Sequence, residues 1–149
     1  MAEEQRLAWN RQVIEEFRAN RGVVAGPFEG RTLLLLTTRG AKSGERRTSP
    51  LAALPAGGAD RWAVFAANGE HPNRPGWYYN LLADPVATVE VGAERFTAVA
   101  ADAVGEERER LWAQMLGLLP ALTTFQATAP GPIPVVVLTR QDRAVSSDA

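Results

Sequence analysis

Hydrophobic spacing along the chain predicts one helix followed by a series of short strands. Between residues 3 and 20, apolar side chains recur at helical spacing, and the Asn-Arg-Gly segment at 20–22 supplies a stop. A loop rich in Gly and Pro follows over 23–30. The run of four leucines at 33–36, followed by two threonines, then predicts a buried strand within 31–39.

Further strands are expected over 46–54, 62–67, 86–91, 94–103 and 133–139, where turn residues separate short apolar segments. Pro75 can open a short helix over 77–83, and apolar residues on one face predict a longer helix over 106–118. Strands joined by short turns, with few helices, indicate an antiparallel sheet closed into a barrel. We therefore expect a mainly β (α+β) fold with an N-terminal helix and two further helices. A single domain is expected over 1–149, with its barrel core at 31–139 and a frayed tail at 141–149.

Composition excludes several classes of function. The hydrophobic share of 46% and the charged share of 22% are typical of a globular protein, and a net charge of −1 argues against a nucleic-acid partner. The absence of cysteine excludes disulfides and thiolate chemistry, and the single histidine, His71, does not make a metal site. No segment resembles a membrane span or a secretory signal, so we expect a cytoplasmic protein. Peripheral membrane contact through the N-terminal helix stays open, because Trp9 can point outward.

The densest cationic stretch is the turn between the first two strands, residues 39–47 (RGAKSGERR), here called the cationic turn. Four cations and one acid fall within these nine residues, and they include Lys42, the one lysine beside fifteen arginines. Gly40 and Gly44 allow close backbone approach, and turn N–H groups with the Ser43 hydroxyl can bind an anion. A strand follows rather than a helix, which excludes a P-loop. The turn is either a phosphate site or a solvated hairpin.

The second candidate segment is NRPGWYYNL at 73–81. A large aromatic side chain at the start of a helix, beside a Gly/Pro loop, can form the wall of a slot for a flat ring system. Simple core packing of Trp77 and a tyrosine is the alternative explanation.

Together these motifs resemble the deazaflavin-dependent nitroreductase family, whose members bind coenzyme F420 in a split β-barrel of the FMN-binding type. The matching pieces are LLLTTRGAKSG at 34–44 with Arg47 and Pro50-Leu51, PGWYYNL at 75–81 with Ala83-Asp84-Pro85, and IPVVV at 133–137. In order and spacing they span about residues 28–139.

The resemblance implies a set of coenzyme contacts. Lys42, Ser43 and Arg47 would hold the phosphate and acidic tail, and Arg39 and Arg46 would extend the cationic groove. The ring would lie along strand 46–54, the end of strand 62–67 and the short helix. The implied coenzyme-binding residues are Arg39, Ala41, Lys42, Ser43, Arg47, Thr48, Ser49, Pro50, Leu51, Ala52, Phe65, Ala66, Ala67, Asn68, Gly76, Trp77 and Asn80.

Three departures from the family pattern concern the substrate side. Asn68 stands where nitroreductases commonly carry lysine, and Ala52 where a tyrosine is frequent. Leu119, Leu122 and Phe125 replace pocket tyrosines, and these three are the expected substrate-pocket residues.

The more apolar pocket favours hydride transfer from reduced F420 to a small quinone or enone over nitroreduction. No catalytic side chain is assigned; solvent, Tyr79 or His71 could donate the proton. The alternatives are an FMN-dependent relative and a non-catalytic protein that binds the coenzyme or a fatty ligand. A homodimer is a further expectation from the family.

Overall fold

The computed structural model describes residues 3–24, 32–58, 60–67, 74–129 and 131–141, with the side chains of residues 3–7 left out. The elements in chain order are α1 (Glu3–Ala19), β1 (Leu33–Arg39), β2 (Arg46–Ala52), β3 (Leu54–Pro55), β4 (Arg61–Phe65), α2 (Gly76–Ala83), β5 (Val86–Val91), β6 (Glu94–Asp102), α3 (Gly105–Leu118), α4 (Leu122–Thr128) and β7 (Val135–Arg140).

The strands form one antiparallel sheet in the order β2-β1-β5-β6-β7-β4-β3. β2 and β4 contact each other although four strands separate them in this order. The sheet therefore curls into a half-barrel, which confirms the predicted fold class. The curled sheet leaves β2 as an edge strand, paired on one side with β1.

Alternation along β1 divides the leucine run between two cores. Leu34 and Leu36 face the barrel interior, where they pack with residues such as Val64, Trp77 and Val89. Leu33 and Leu35 face outward and are covered by α1. A continuous apolar run is expected of a strand that is buried on both faces, and all four leucines are at most 4% exposed.

One part of the secondary-structure prediction was wrong: α4 makes a third helix after α1, where two further helices were expected. The predicted strand 46–54 is also interrupted at Ala53, which separates β2 from the two-residue β3. The expected tail lies outside the described residues beyond Gln141, and the single-domain division stays a prediction.

Helix α1 is fixed on the outer face of the sheet by apolar packing and by one ion pair. Val13 and Phe17 pack with Leu35. The Arg18 guanidinium donates to both carboxylate oxygens of Glu90 on β5, at 3.0 and 2.8 Å. The hydrogen bond to Glu90 raises the pKa of Arg18, while burial opposes this more weakly. This pair joins residues that lie 72 positions apart in the sequence.

Candidate active site

The main cavity lies between the edge strand β2 and the start of α2 and has a volume of about 500 Å³. That size is within the range of small-molecule sites. Ala67, which follows β4, closes one side, and Asn10 reaches the cavity from α1. The lining residues are Asn10, Thr38, Arg46, Arg47, Thr48, Ser49, Pro50, Leu51, Ala67, Pro75, Gly76, Trp77 and Asn80.

The apolar wall of the cavity is built by α2 because of how this helix begins. Pro75 precedes the helix with φ −65° and ψ 150°, a conformation that proline adopts without strain. The helix then buries Trp77, Tyr78 and Leu81 against the sheet. Trp77 is 7% exposed, so it is both a core residue and part of the cavity wall. The two explanations considered for this tryptophan are therefore compatible.

The tip of the cationic turn is closed by its own backbone. Gly40 N–H donates to the Glu45 carbonyl at 2.7 Å, and Gly44 N–H donates to the Gly40 carbonyl at 2.9 Å. Gly44 has φ +75°, a region that favours glycine. At Gly40 a Cβ atom would lie 2.6 Å from the Ser43 Oγ atom and 3.2 Å from the Glu45 carbonyl oxygen, so a side chain there would displace the Ser43 hydroxyl.

Internal hydrogen bonds reduce the number of turn N–H groups that an anion can use. The N–H groups of Gly40, Gly44 and Glu45 are bonded within the turn, and that of Ala41 donates to the Asn80 side chain. In the part of the chain that the structure describes, the N–H groups of Lys42 and Ser43 have no hydrogen-bond partner. Ser43 Oγ accepts from Glu45 N–H at 3.1 Å, which leaves its hydroxyl hydrogen free to donate.

The cations of the turn are poorly neutralised by the protein itself. Arg47 lies 3.8 Å from the Glu45 carboxylate, and both side chains are well exposed, so this pair is weak. Within the described ranges, Arg39, Lys42 and Arg46 have no ion pair. Arg39 and Arg46 lie directly opposite each other across β1 and β2, an arrangement that costs stability without an anion.

Two grooves lie at these cations, and the second connects the first to the main cavity through shared lining residues. The first, of about 380 Å³, is formed by the tip of the turn with Ala83 and Asp84. The second, of about 430 Å³, shares Thr38 and Arg46 with the cavity and is here called the threonine groove. Its floor includes Thr37, Thr88 and Thr97, which lie side by side in register on β1, β5 and β6.

Most of the predicted coenzyme-binding residues lie in this region. Those that line the main cavity are Arg47, Thr48, Ser49, Pro50, Leu51, Ala67, Gly76, Trp77 and Asn80. Those that line the groove at the turn are Arg39, Ala41, Lys42 and Ser43. Asn68 and His71 lie outside the described residues. The structure therefore brings the two sequence motifs together, although they are about thirty residues apart.

Three predicted coenzyme contacts lie elsewhere. Ala52 and Phe65 pack in a second apolar cluster with α3, where the Phe65 and Trp112 ring centroids are 6.2 Å apart. Ala66 is 2% exposed, and its N–H donates to the Pro134 carbonyl at 2.9 Å. The Ala67 N–H donates to the Phe65 carbonyl at 2.8 Å. The N–H groups of Ala66 and Ala67 are thus already bonded within the protein, and the contact of this strand end with the ring stays a prediction.

The predicted substrate residues belong to the same second cluster rather than to the main cavity. Leu122 is 1% exposed and packs in this cluster, and its place in a substrate pocket stays a prediction. Leu119 and Phe125 are half-buried beside it. Ala67 belongs to this cluster and also lines the cavity, so the two regions share one residue.

Sequence reasoning missed three cavity residues, namely Asn10, Thr38 and Pro75. Pro75 and Thr38 adjoin recognised motifs, so their positions gave a local signal. Asn10 gave none, because only the packing of α1 on the sheet brings it to β2. Among the described residues, no helix is long and apolar enough to cross a membrane. In the same part of the chain, no group of three or more acidic or histidine side chains is placed to hold a metal ion.

Comparison with known proteins shows which family the chain belongs to. Residues 9–140 match the model of the F420H(2)-dependent quinone reductase family. An F420H(2)-dependent quinone reductase of Mycobacterium tuberculosis (strain H37Rv) is 40% identical over 112 residues, which cover 72% of this chain and 73% of the relative.

Solved structures agree. An F420-H2 dependent reductase is similar with a TM-score of 0.62 and 33% identity, over 71% of this chain and 92% of the other. A domain-swapped dimer is similar with a TM-score of 0.65 and 29% identity, over 89% of this chain and 98% of the other. The expected deazaflavin family and split barrel are confirmed, with F420 rather than FMN as the coenzyme. The chain belongs to the F420H(2)-dependent quinone reductase family and is an oxidoreductase that uses coenzyme F420.

Proposed function

We propose that the main cavity holds the deazaflavin ring of F420 and that the cationic turn holds its phosphate. The observation that carries this proposal is that the main cavity has both an apolar wall and positively charged side chains. Pro50, Leu51 and Trp77 supply an apolar wall, and Arg46 and Arg47 stand on the same cavity. A ligand that joins a flat ring to a phosphate and carboxylates needs both. The residues present therefore fit the coenzyme.

The ring half of the proposed site uses the edge position of β2. A strand at a sheet edge has backbone N–H and C=O groups without a strand partner. Ser49 and Leu51 direct their N–H and C=O groups toward β1, in register with Ala53, whose N–H donates to the Thr32 carbonyl. The outward groups that can bond the polar edge of the ring are therefore the N–H and C=O of Thr48 and the C=O of Pro50. Pro50 lacks an N–H and adds apolar surface instead. Gly76 leaves room at the start of α2, because a Cβ atom there would have no heavy atom within 4 Å.

The anionic half of the proposed site uses Lys42, Ser43 and Arg47. The free N–H groups of Lys42 and Ser43 and the Ser43 hydroxyl are neutral donors, and Lys42 and Arg47 add charge-assisted bonds. Arg39 and Arg46 both border the threonine groove, and Arg46 also borders the main cavity. We assign this groove to the acidic tail of the coenzyme, because threonine hydroxyls and two guanidinium groups that have no ion pair among the described residues suit carboxylates.

The reduced coenzyme supplies the hydride, and the chain binds and orients the two partners. We propose a small apolar acceptor, a quinone or an enone, because the side chains that would lie beside the ring, Leu51, Ala67 and Trp77, carry no charge. Tyr79 is exposed and does not line the cavity, so solvent is the proposed proton donor.

We also propose that the protein is cytoplasmic and that it forms a homodimer. The dimer is proposed because a similar solved structure is a domain-swapped dimer. Sedimentation velocity tests the dimer. Membrane contact through α1 is not proposed, because its apolar residues Val13 and Phe17 are buried against the sheet.

The first test is fluorescence titration with F420 and with FMN, followed by turnover of reduced F420 with a naphthoquinone, a cyclohexenone and a nitroaromatic compound. We expect binding of F420 alone and fastest turnover of the quinone. Binding without turnover of any acceptor would favour the non-catalytic alternative.

A matched pair of variants tests the location of the site. Gly76→Trp places an indole at the cavity, and Gly117→Trp places one on the exposed face of α3; in both cases a Cβ atom meets nothing within 4 Å. We expect Gly76→Trp to abolish F420 binding and Gly117→Trp to leave it unchanged. Equal affinities in the two variants would move the ring out of this cavity.

A further inference from the structure

Asn80 lines the main cavity, and each of its two polar atoms makes one hydrogen bond within the protein. Its Oδ1 atom accepts from the Ala41 N–H at 3.0 Å, and its Nδ2 group donates to Thr38 Oγ1 at 3.0 Å. The Ala41 N–H can only donate, so this bond fixes which way the amide points. Thr38 is 2% exposed, so it holds the Nδ2 group from a rigid position at the end of β1.

The Asn80 contact is the connection between the turn and the rest of the site. The other hydrogen bonds of residues 40–44 close the turn on itself. Among the residues described, the Ala41–Asn80 bond is the hydrogen bond that joins this tip to an element outside the β1–β2 hairpin. Without it, the tip would be held by its two strands alone.

The two halves of the proposed coenzyme site therefore stand on separate elements that meet at Asn80. Lys42 and Ser43 belong to the hairpin, while Gly76 and Trp77 belong to α2. One ligand can use both halves at full strength only if their separation is fixed to a fraction of an ångström. When one part of the coenzyme is bound, the other part has a high effective concentration at its own half of the site. A loose turn lowers that effective concentration.

We propose that Asn80 is a positioning residue, which fixes the phosphate-binding turn against the ring-binding helix without itself contributing a bond to the coenzyme. This inference rests on the proposed function and goes beyond it, since the family resemblance places Asn80 at the ring. A direct ring contact and a positioning role predict different losses for whole and truncated ligands.

The test compares F420 with its fragment 8-hydroxy-5-deazariboflavin, which keeps the ring and sugar alcohol but lacks the phosphate and tail. In Asn80→Leu, which has similar volume and no polar atoms, we expect the Kd for F420 to rise by about tenfold or more. The Kd for the fragment should change by less than about threefold. Equal losses for both ligands would make Asn80 a direct ring contact and overturn the proposal, as would no loss for either.

If Asn80→Leu folds poorly, a second pair of variants can still refute the proposal. Thr38→Val removes the acceptor for Nδ2, and Thr38→Ser retains it. Because Thr38 also borders the threonine groove, the readout includes Ala41 amide exchange: we expect Thr38→Val to lower F420 affinity and to speed this exchange, and Thr38→Ser to keep wild-type values of both. A loss of F420 affinity with unchanged Ala41 exchange in Thr38→Val would make Thr38 a direct tail contact and contradict the proposal. Leu82→Ala, at an exposed position on the same helix, is the matched control and should bind both ligands normally. A loss in Thr38→Ser equal to that in Thr38→Val would contradict the proposal.

Amide hydrogen exchange separates this inference from the proposed function. In the coenzyme-free protein, the Ala41 amide should be protected in wild type and in Thr38→Ser, and it should exchange much faster in Asn80→Leu. If wild type fails to bind F420, the proposed site falls, while the Ala41 exchange rate still decides whether Asn80 fixes the turn. Unchanged Ala41 protection in Asn80→Leu would refute the positioning role.

Discussion

The ion pair between Arg18 and Glu90 is expected to hold α1 on the sheet, and its removal has a calculable cost. Glu90 is 9% exposed under the helix, whereas the Arg18 side chain is 49% exposed. Arg18→Met keeps most of the apolar stem and removes both donors, leaving the carboxylate buried without them. Breaking a fully buried pair costs about 3–5 kcal/mol, and an exposed pair contributes about 0–1 kcal/mol. Because one partner is half exposed, we expect about 2 kcal/mol.

That loss is large enough to measure by urea unfolding or by calorimetry. For a chain of this size, about 2 kcal/mol corresponds to a fall in Tm of about 4–8 °C. Glu90→Gln removes the buried charge while keeping a polar group, so we expect a smaller loss of about 1 kcal/mol. The double variant should cost no more than Arg18→Met alone, which gives a coupling energy of about 1 kcal/mol.

The coupling should also be insensitive to salt, because burial protects the carboxylate from screening. Arg18 is charged at neutral pH, as any arginine is, and the bond to Glu90 raises its pKa further. A loss below about 0.5 kcal/mol in Arg18→Met, or a coupling that vanishes in high salt, would refute the reasoning. The pair would then behave as an ordinary surface salt bridge, and apolar packing alone would hold α1.

Three further predictions follow from the site and its surroundings. Lys42→Ala combined with Arg47→Ala should raise the Kd for F420 by about a hundredfold or more, because two charge-assisted bonds vanish; an unchanged Kd by fluorescence titration would remove the phosphate assignment. Arg46→Thr should weaken F420 binding while leaving the coenzyme-free protein as stable as wild type or slightly more stable, measured by urea unfolding at low salt; a loss of stability above about 1 kcal/mol would contradict this. Tyr78 donates to Asp102 at 2.9 Å, and burial, then this bond, raises the pKa of Tyr78. The stability that Tyr78 contributes through this raised pKa is therefore complete below the unfolded pKa of about 10 and is lost as pH rises through the folded pKa. Tyr78→Phe should flatten the decline in unfolding free energy at alkaline pH. An identical decline in the variant and the wild type would contradict this prediction.

The sequence predicts the elements whose signals are local. The cationic turn has two glycines at the positions that need them, and α2 begins after a proline, so the sequence alone predicts both. Helix α4 has no such signal: no side-chain cap starts it and no acidic residue stands in its first turn. It forms because Leu122 packs in the core formed by α3 and the sheet, which is a tertiary effect.

The contacts that complete the site are long-range, and the sequence pattern does not encode them. Asn10 reaches the cavity only because α1 crosses the outer face of the sheet to β2. Asn80 meets Ala41 across 39 positions of sequence. The burial of Leu122 is likewise long-range, because it packs against Leu111 and Val137 of other elements.

The chain has almost no net charge, yet positive side chains are concentrated at the proposed anion site. With a formal charge of −1, the protein still places Arg39 and Arg46 face to face and leaves Lys42 without an ion pair in the part of the chain that the structure describes. Such like-charge contacts cost the coenzyme-free protein a few tenths of a kcal/mol each. An anionic ligand relieves that repulsion on binding and also gains its own bonds, so the strain raises affinity. This explains why Arg46→Thr should separate stability from binding, which no purely structural role for the turn would do.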